Sequence, residues 1–375
     1  MTSSRRAHVM MTADTVGGVW VYATTLAREL CRRGFEITLV MLGPDPSREQ
    51  MSGLRRVRGL TVEHTQLALE WMDPEGRHFA RALDQLSAIA KRVKPDVIHL
   101  NGYREATGAY AAPVLVVAHS CVQSWWRACR GEAPSEPRWR PYMDNVAAGL
   151  EAAERWVAPT ATFRDTIERL YAPSNPGQVI WNGIDIRPST APKQPFILAA
   201  GRLWDEAKNV TLLEQIAARV PWPIRVAGPS GAHAQTRTDT TGVAALGPLP
   251  HHGLLDVMAR ASVLVAPAVY EPFGLTVLEA AASGCALVLS DIPSFRELWD
   301  GAALFVDPRD PIALQGVLTH LTRNEPLRAE LQRRAKRRAR RYSLRAMTDA
   351  YVDAYQDLMR SASRSRRHGL VEAHP

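Results

Sequence analysis

Short apolar runs, each followed by a stretch of helical periodicity, recur along most of this chain, and that alternation leaves few folds open. In the first half the runs fall at Ala7–Met11, Glu36–Leu42, Val97–Leu100, Val114–Ala118, Trp156–Ala158 and Val179–Trp181. Between them, Gly18–Arg33 places Val19, Tyr22, Ala23, Leu26 and Leu30 at helical spacing and meets a stop signal at Gly34; Arg77–Val93 is a second helix. Asn182–Pro195, with Pro188, Pro192 and Pro195 and little apolar content, reads as a linker. The alternation then restarts at Phe196–Ala200, Ile224–Ala227, Val263–Ala266 and Ala286–Ser290, and the chain closes with three helical stretches from Ile312 onward. This is the pattern of parallel sheets covered by helices. The expected fold class is α/β, with two Rossmann-like lobes facing a central cleft, 1–187 and 188–343, and a final helix 344–375 packing back on the first. In such sheets ligands bind beyond the carboxyl ends of the strands.

At 375 residues, 46% hydrophobic and 22% charged, the chain is long enough for two ordinary domains and too apolar for a disordered solvating segment. Cys31, Cys121, Cys129 and Cys285 form no CxxC pair, which argues against a disulfide framework or zinc ribbon and suits a reducing cytosol. The apolar run after Met1–Arg6 ends by Met11, too short for a signal peptide, and no uninterrupted apolar stretch could span a bilayer; a cytoplasmic protein is expected. Of the net charge of +8, all is matched by Glu325–Arg367, where thirteen Lys/Arg stand against five Asp/Glu. The basic 328–341 segment reads as a helix with charge on nearly every side. Two readings stay open: a solvated surface helix, or peripheral attraction to anionic lipid at the inner face of the membrane, worth roughly 1 kcal/mol per cation. No nucleic-acid partner is expected, because interleaved aromatics and zinc-finger or RNP-like motifs are missing.

The segment Tyr270-Glu271-Pro272-Phe273-Gly274-Leu275-Thr276-Val277-Leu278-Glu279-Ala280 follows an apolar run and opens a helix that reaches Gly284. Gly274 lets backbone approach a ligand closely, and the N–H groups of Gly274, Leu275 and Thr276 face outward at the positive end of the helix dipole, a ready diphosphate site. Glu279 is placed to accept from ribose hydroxyls and Glu271 from those of a sugar. Alone, two glutamates at this spacing also describe an ordinary loop before an amphipathic helix.

The segment resembles the signature of family 4 retaining glycosyltransferases, which have the two-lobed GT-B fold. Other landmarks resemble that family in the same order over nearly the whole chain. They are Gly17-Gly18 after the first run, Pro113–Ser120 ending in His119, Asn182-Gly183-Ile184-Asp185, Gly201-Arg202-Leu203 followed by Lys208-Asn209, and Ala227-Gly228-Pro229-Ser230-Gly231. The resemblance implies an enzyme that moves a sugar from a nucleotide-sugar donor. Donor binding would then fall to Gly17, Gly18, Arg202, Lys208, Phe273, Gly274, Leu275, Thr276 and Glu279, and catalysis to His119, Glu271, Arg202 and Lys208. His119 would hydrogen-bond the donor sugar; a core histidine bonded to a carbonyl is the plainer reading of that position.

Departure of a nucleoside diphosphate builds negative charge that something positive must meet. No two aspartates are separated by a single residue, so the Asp-x-Asp metal site of other sugar transferases is missing and no metal or other cofactor is expected. Arg202, as a bidentate fork, and Lys208, as a point charge, would supply the charge instead, unless they form surface pairs with Asp205 or Glu206. A retaining glycosidase needs two close carboxylates, and only Glu271 stands near the sugar, so same-face attack with the leaving phosphate taking the acceptor's proton is preferred. The acceptor, a carbohydrate, a lipid-linked sugar or a small molecule, is expected to meet Tyr103, Trp125, Trp126 and Arg127, with Trp71 and Arg104 nearby; paired tryptophans serve equally well as a buried anchor. Base recognition is expected around Pro229–His233 and Leu249–Leu254. The competing readings are a nucleotide-sugar epimerase, a non-catalytic nucleotide-sugar binder, and an NAD-dependent oxidoreductase, the last disfavoured because Asp14–Gly18 is not Gly-x-Gly-x-x-Gly.

Overall fold

The computed structural model describes residues 6–186, 191–229 and 242–372. The chain divides into two compact units: Met1–Ser124, Ala133–Trp181 and Leu344–Pro375 form the first, and Trp125–Glu132 with Asn182–Ser343 the second. The expected boundary at 187/188 lies outside the described residues; the chain changes unit earlier, between Trp181 and Asn182. Grouping of Trp125–Glu132 with the second unit also departs from a first lobe running unbroken to 187.

The first unit holds seven parallel strands: β1 (His8–Asp14), β2 (Glu36–Leu42), β3 (Leu60–His64), β4 (Val97–Leu100), β5 (Val114–Val117), β6 (Arg155–Ala158) and β7 (Gln178–Val179). Their order is β3-β2-β1-β4-β5-β6-β7. The second unit holds β8 (Gln194–Ala200), β9 (Ile224–Ala227), β10 (Val243–Gly247), β11 (Ala261–Ala266), β12 (Ala286–Ser290) and β13 (Leu304–Val306), ordered β10-β9-β8-β11-β12-β13 and again all parallel.

Uninterrupted apolar runs follow from burial of both sheet faces. Successive residues of β8 point to opposite sides: Phe196 and Leu198 join one core with Leu264, Leu287 and Leu289, while Ile197 and Ala199 join the other with Val263, Val265 and Val288. Each sheet reverses strand order once, at β1/β4 in the first unit and β8/β11 in the second. Loops leaving the carboxyl ends of such a pair diverge and open a crevice, so these two places are where function is expected. His99 and Asn101 lie at the first, Arg202, Lys208 and Glu271 at the second.

The helix Glu325–Ala339 is not charged all round, as its composition led one to expect. Leu331, Ala335 and Ala339 form a buried stripe one helical turn apart, continued by Tyr342. Several of its cations have local partners. Arg333 and Arg334 both pair with Glu330, Arg328 donates to the carbonyls of Leu321 and Thr322, and Arg338 to those of Leu298 and Asp300. The last helix, Leu344–Glu372, belongs to the first unit and buries Met347, Tyr351, Ala354, Tyr355 and Leu358. Among the described residues no helix is long and apolar enough to cross a membrane.

Candidate active site

In the second unit the ends of β8 and β9 come so close that a Cβ on Gly228 would stand 1.8 Å from the carbonyl oxygen of Gly201, so only glycine fits there. From this pinch the chain turns through Arg202 to a short 3-10 turn, Glu206–Lys208. Asp205 organises the turn. Its Oδ2 accepts from Arg202 Nη2 at 2.6 Å, and its Oδ1 from the Ala207 amide and the Trp125 indole N–H, both at 3.0 Å. Burial works against the Asp205 charge, but the bonds from Arg202 and Trp125 hold its carboxyl below the usual range. Arg202 therefore makes the local pair with Asp205 that its spacing allowed, yet its Nε is buried with no partner, and its guanidinium lies 5.4 Å from the Trp204 ring. A buried N–H that donates to nothing is costly unless a ligand takes it.

Lys208 turns away from Asp205 and Glu206. Its Nζ donates to Glu271 Oε2 at 2.6 Å, with the two side chains 22% and 20% exposed. Three further bonds fix the loops that carry this pair: the Val269 amide donates to the Ala207 carbonyl, and Asn209 Nδ2 bridges the carbonyls of Pro267 and Pro308. Ser294 Oγ donates to the Glu271 carbonyl. Gly274 then caps the helix Leu275–Ala282 in the left-handed region, φ 85°, where a Cβ would crowd Phe295, Glu271 and Val277. Val277 and Leu278 donate to the Gly274 carbonyl, so the helix begins there and the amides of Leu275 and Thr276 stand ahead of its bonding ladder. Arg202, Lys208, Glu271 and this helix start thus belong to one strand-end constellation.

Two expectations for the second unit change. Phe273 is buried in the core, edge-on to Tyr342, so its ring is withdrawn from any donor. The segment Leu249–Leu254 is no open loop, because the helix His251–Arg260 starts inside it; His251 Nε2 lies 2.6 Å from Oε1 of the buried Glu279. Residues 230–233 of the other expected base loop, with Ser230 and Gly231 of the glycine turn, lie outside the described residues.

In the first unit, Gly17 (φ 77°) caps the helix Gly18–Arg32, and both glycines are exposed at its start. His119 follows β5, with its Nε2 2.7 Å from Asn101 Oδ1 and its ring edge-on to Tyr22 at 4.5 Å. Burial, reinforced by His99, pushes His119 down to about 3, so the imidazole is neutral at pH 7. Asp14, at the end of β1, is pushed up to about 8 by burial and by Glu105; burial and Glu105 do the same to Glu70. Tyr103 and Arg104 are not cleft-lining. Tyr103 is buried and donates its hydroxyl to the Ser120 carbonyl and its amide to Glu70, while Arg104 is 2% exposed between Asp73 and Glu105. Trp71 is exposed; in the 125–132 segment grouped with the second unit, Trp126 is buried with Arg130 over its ring at 4.2 Å, whereas Arg127 is exposed.

Asn101 and His99 escaped the sequence reading, as did the links of Asp205 to Trp125 and of His251 to Glu279. Asn101 sits at a strand end like His119 and was open to the same reasoning; His99 and the two links declare themselves only through partners distant in the chain. Among the described residues no group of three or more His, Cys, Asp or Glu is arranged to hold a metal ion.

The family model described as Glycosyltransferase Family 4 matches residues 16–187, and that described as Glycosyl transferases group 1 matches 184–338. Glycogen synthase of Mycobacterium tuberculosis is 25% identical, covering 85% of this chain and 86% of its own length. D-inositol 3-phosphate glycosyltransferase of Corynebacterium diphtheriae is 26% identical, covering 84% of each. Among solved structures, Anabaena HepE in complex with UDP and glucose superposes with a TM-score of 0.75 over 94% of this chain and 100% of its own, at 15% identity.

Proposed function

The chain belongs to the family 4 glycosyltransferases, with the two-lobed GT-B fold, and on that premise we propose that it moves a hexosyl group from a nucleoside diphosphate sugar to an acceptor hydroxyl with retention of configuration and without a metal ion. The observation that carries the reading is the constellation at the β8/β11 crevice: the unpartnered Nε–H of Arg202, the ammonium of Lys208, and the helix start at Gly274–Thr276. Two cations, each shared with a neighbouring carboxylate, and a helix dipole offer the positive groups that a departing diphosphate requires. HepE in complex with UDP supports uridine diphosphate as the first donor nucleotide to test.

In this reading Arg202 and Lys208 bind the diphosphate, and the amides of Leu275 and Thr276 take its remaining oxygens. Glu271, already bonded to Lys208, accepts from hydroxyls of the transferred sugar. The buried Glu279 binds the ribose, with His251 orienting its carboxylate. The acceptor oxygen attacks the anomeric carbon on the face the diphosphate leaves, the C–O bond to phosphate breaks, and the phosphate oxygen takes the acceptor's proton. His119, neutral at pH 7, accepts a hydrogen bond from a donor-sugar hydroxyl. The relatives named for glycogen and for inositol phosphate use different acceptors, which leaves a carbohydrate, a lipid-linked sugar or a small molecule for this chain. Trp125 and Arg127 are the residues proposed to bound its site.

Thermal-shift titration with nucleoside diphosphates in the presence of EDTA tests the donor site. A shift with UDP, product of retained anomeric configuration from the matching sugar nucleotide, and loss of turnover in Glu271→Ala are the expected results. Strict dependence on added Mg²⁺, or inverted product, would refute the mechanism.

A further inference from the structure

Accepting the reading of His119 as a sugar-contacting group, we propose that Asn101, held by Thr12, fixes which nitrogen of His119 carries its proton, and that His99 and Tyr355, bonded in series behind the same oxygen, make the last helix a positioning element for that pair. Asn101 is fixed in orientation. Its Nδ2 donates to the Thr12 carbonyl at 2.5 Å, and its backbone N–H donates to Thr12 Oγ1 at 2.8 Å. A carbonyl only accepts, so the carboxamide cannot be turned round, and Oδ1 is the atom that faces the two imidazoles.

Oδ1 has two lone pairs and no proton. His119 Nε2 lies 2.7 Å from it and must therefore be the donor. Nδ1 of the neutral ring is then bare, able to accept from a sugar hydroxyl and unable to donate to one. His99 is the second imidazole on the same oxygen. Its Nε2 is 3.3 Å from Oδ1 and 3.4 Å from Tyr22 Oη, while its Nδ1 is 2.6 Å from Tyr355 Oη. With Nε2–H directed at Asn101, the nearer of its two neighbours, Nδ1 accepts the Tyr355 hydroxyl proton. The opposite tautomer of His99 would set its bare Nε2 against the lone pairs of Asn101.

Tyr355 stands on the helix Leu344–Glu372, far along the chain from the strands it serves. Its neighbour one turn earlier, Tyr351, is tilted against His99 at 5.3 Å and edge-on to Tyr22 at 6.1 Å. The titratable groups facing the relay are thus His99 and His119 from the sheet, Tyr22 from the first helix, and Tyr351 and Tyr355 from the last. None of these groups is a carboxylate that could hold an imidazolium, so the hydrogen-bond geometry sets the proton positions. Asn101, His99 and Tyr355 are positioning residues; only His119 is placed to touch substrate.

Long-range ¹⁵N–¹H spectra of histidine-labelled full-length protein, without substrate, read the tautomers directly, with His119 assigned by His119→Gln. We expect a pyrrole-type Nε2 and a pyridine-type Nδ1 for both His99 and His119. Asn101→Asp, isosteric but anionic, should turn His119 into an imidazolium near neutral pH, shift the acid limb of the kcat profile upward, and leave the KM for acceptor unchanged. Tyr355→Phe should move the His99 Nδ1 resonance and lower kcat by about tenfold, the scale of one lost hydrogen bond. A proton on Nδ1 of His119, or an Asn101→Asp protein whose His119 signals and pH profile match the wild type, would overturn the relay. Because the tautomers are read without substrate, a chain with the expected spectra and no transfer activity would uphold the relay and count against the proposed function alone.

Discussion

Glu271→Gln separates the two tasks assigned to the β8/β11 crevice. In the free protein Lys208 is held by Glu271 at 2.6 Å, each side chain about one-fifth exposed (22% and 20%). Unit charges 4 Å apart attract by about 4 kcal/mol at an effective dielectric near 20, but partial exposure and desolvation reduce the net value to on the order of 1 kcal/mol. An incoming diphosphate must share the ammonium with that carboxylate and approach a like charge. Glutamine keeps the shape and removes the charge. Nucleoside diphosphate should therefore bind about fivefold tighter, the equivalent of about 1 kcal/mol. Turnover should fall about a hundredfold or more, because a carboxylate that holds the sugar is lost. Calorimetric titration with UDP in EDTA at fixed salt gives the first quantity and product release the second. Lys208→Met is the control and should weaken UDP. If Glu271→Gln binds UDP no better, or loses affinity as Lys208→Met does, the pair is not part of the diphosphate site and the reasoning fails.

Gly228→Ala should destabilise the second unit by about 3 kcal/mol or more, seen as a large drop in melting temperature, because its Cβ would stand 1.8 Å from a backbone oxygen that cannot yield without moving β8; a melting temperature within a degree of wild type would contradict the close approach. Asp14, raised to about 8 by burial and by Glu105, is protonated when folded and ionised when unfolded between its ordinary value near 3.8 and 8, so folding stability should decline as pH rises from 6.5 to 8. Asp14→Asn should flatten that decline by on the order of 1–2 kcal/mol, checked by denaturant melts across the range. Attraction to anionic vesicles, if the basic helix provides it, should depend on the exposed Arg337, Arg340 and Arg341, and neutralising all three to Gln should lower binding by about a hundredfold at roughly 1 kcal/mol per cation. Equal co-sedimentation of the two proteins would remove membrane contact from the account.

What was legible in the sequence follows from what was buried on both sides. Strands such as Val114–Val117 and Ala286–Ser290 have no polar face, so they stand out as continuous apolar runs. Three of the four edge strands did not. Leu60-Thr61-Val62-Glu63-His64 and Val243–Gly247 are half exposed, and Leu304–Val306 is only three residues long, so none contrasts with its flanks. Alanine hid the buried stripe of the basic helix in the same way, since Ala335 and Ala339 are weak apolar markers between arginines. At the site, Glu271, Gly274 and the helix start were readable because loop, glycine and helix are consecutive. The bonds that organise them join residues far apart: Lys208 with Glu271, Asp205 with Trp125, His119 with Asn101. Local reasoning offered Asp205 or Glu206 as salt-bridge partners for both cations; Arg202 took Asp205, while the fold gave Lys208 to Glu271.

If a nucleoside diphosphate is held at one strand-to-helix junction by two cations and backbone amides, a crystal structure of the chain grown with UDP and EDTA should show it there. Phosphate oxygens are expected within hydrogen-bond distance of Arg202 Nε, Lys208 Nζ and the amides of Leu275 and Thr276, with Lys208 shared between phosphate and Glu271. Density for the diphosphate anywhere else, or binding that appears only when a divalent ion bridges it to the protein, would rule this site out.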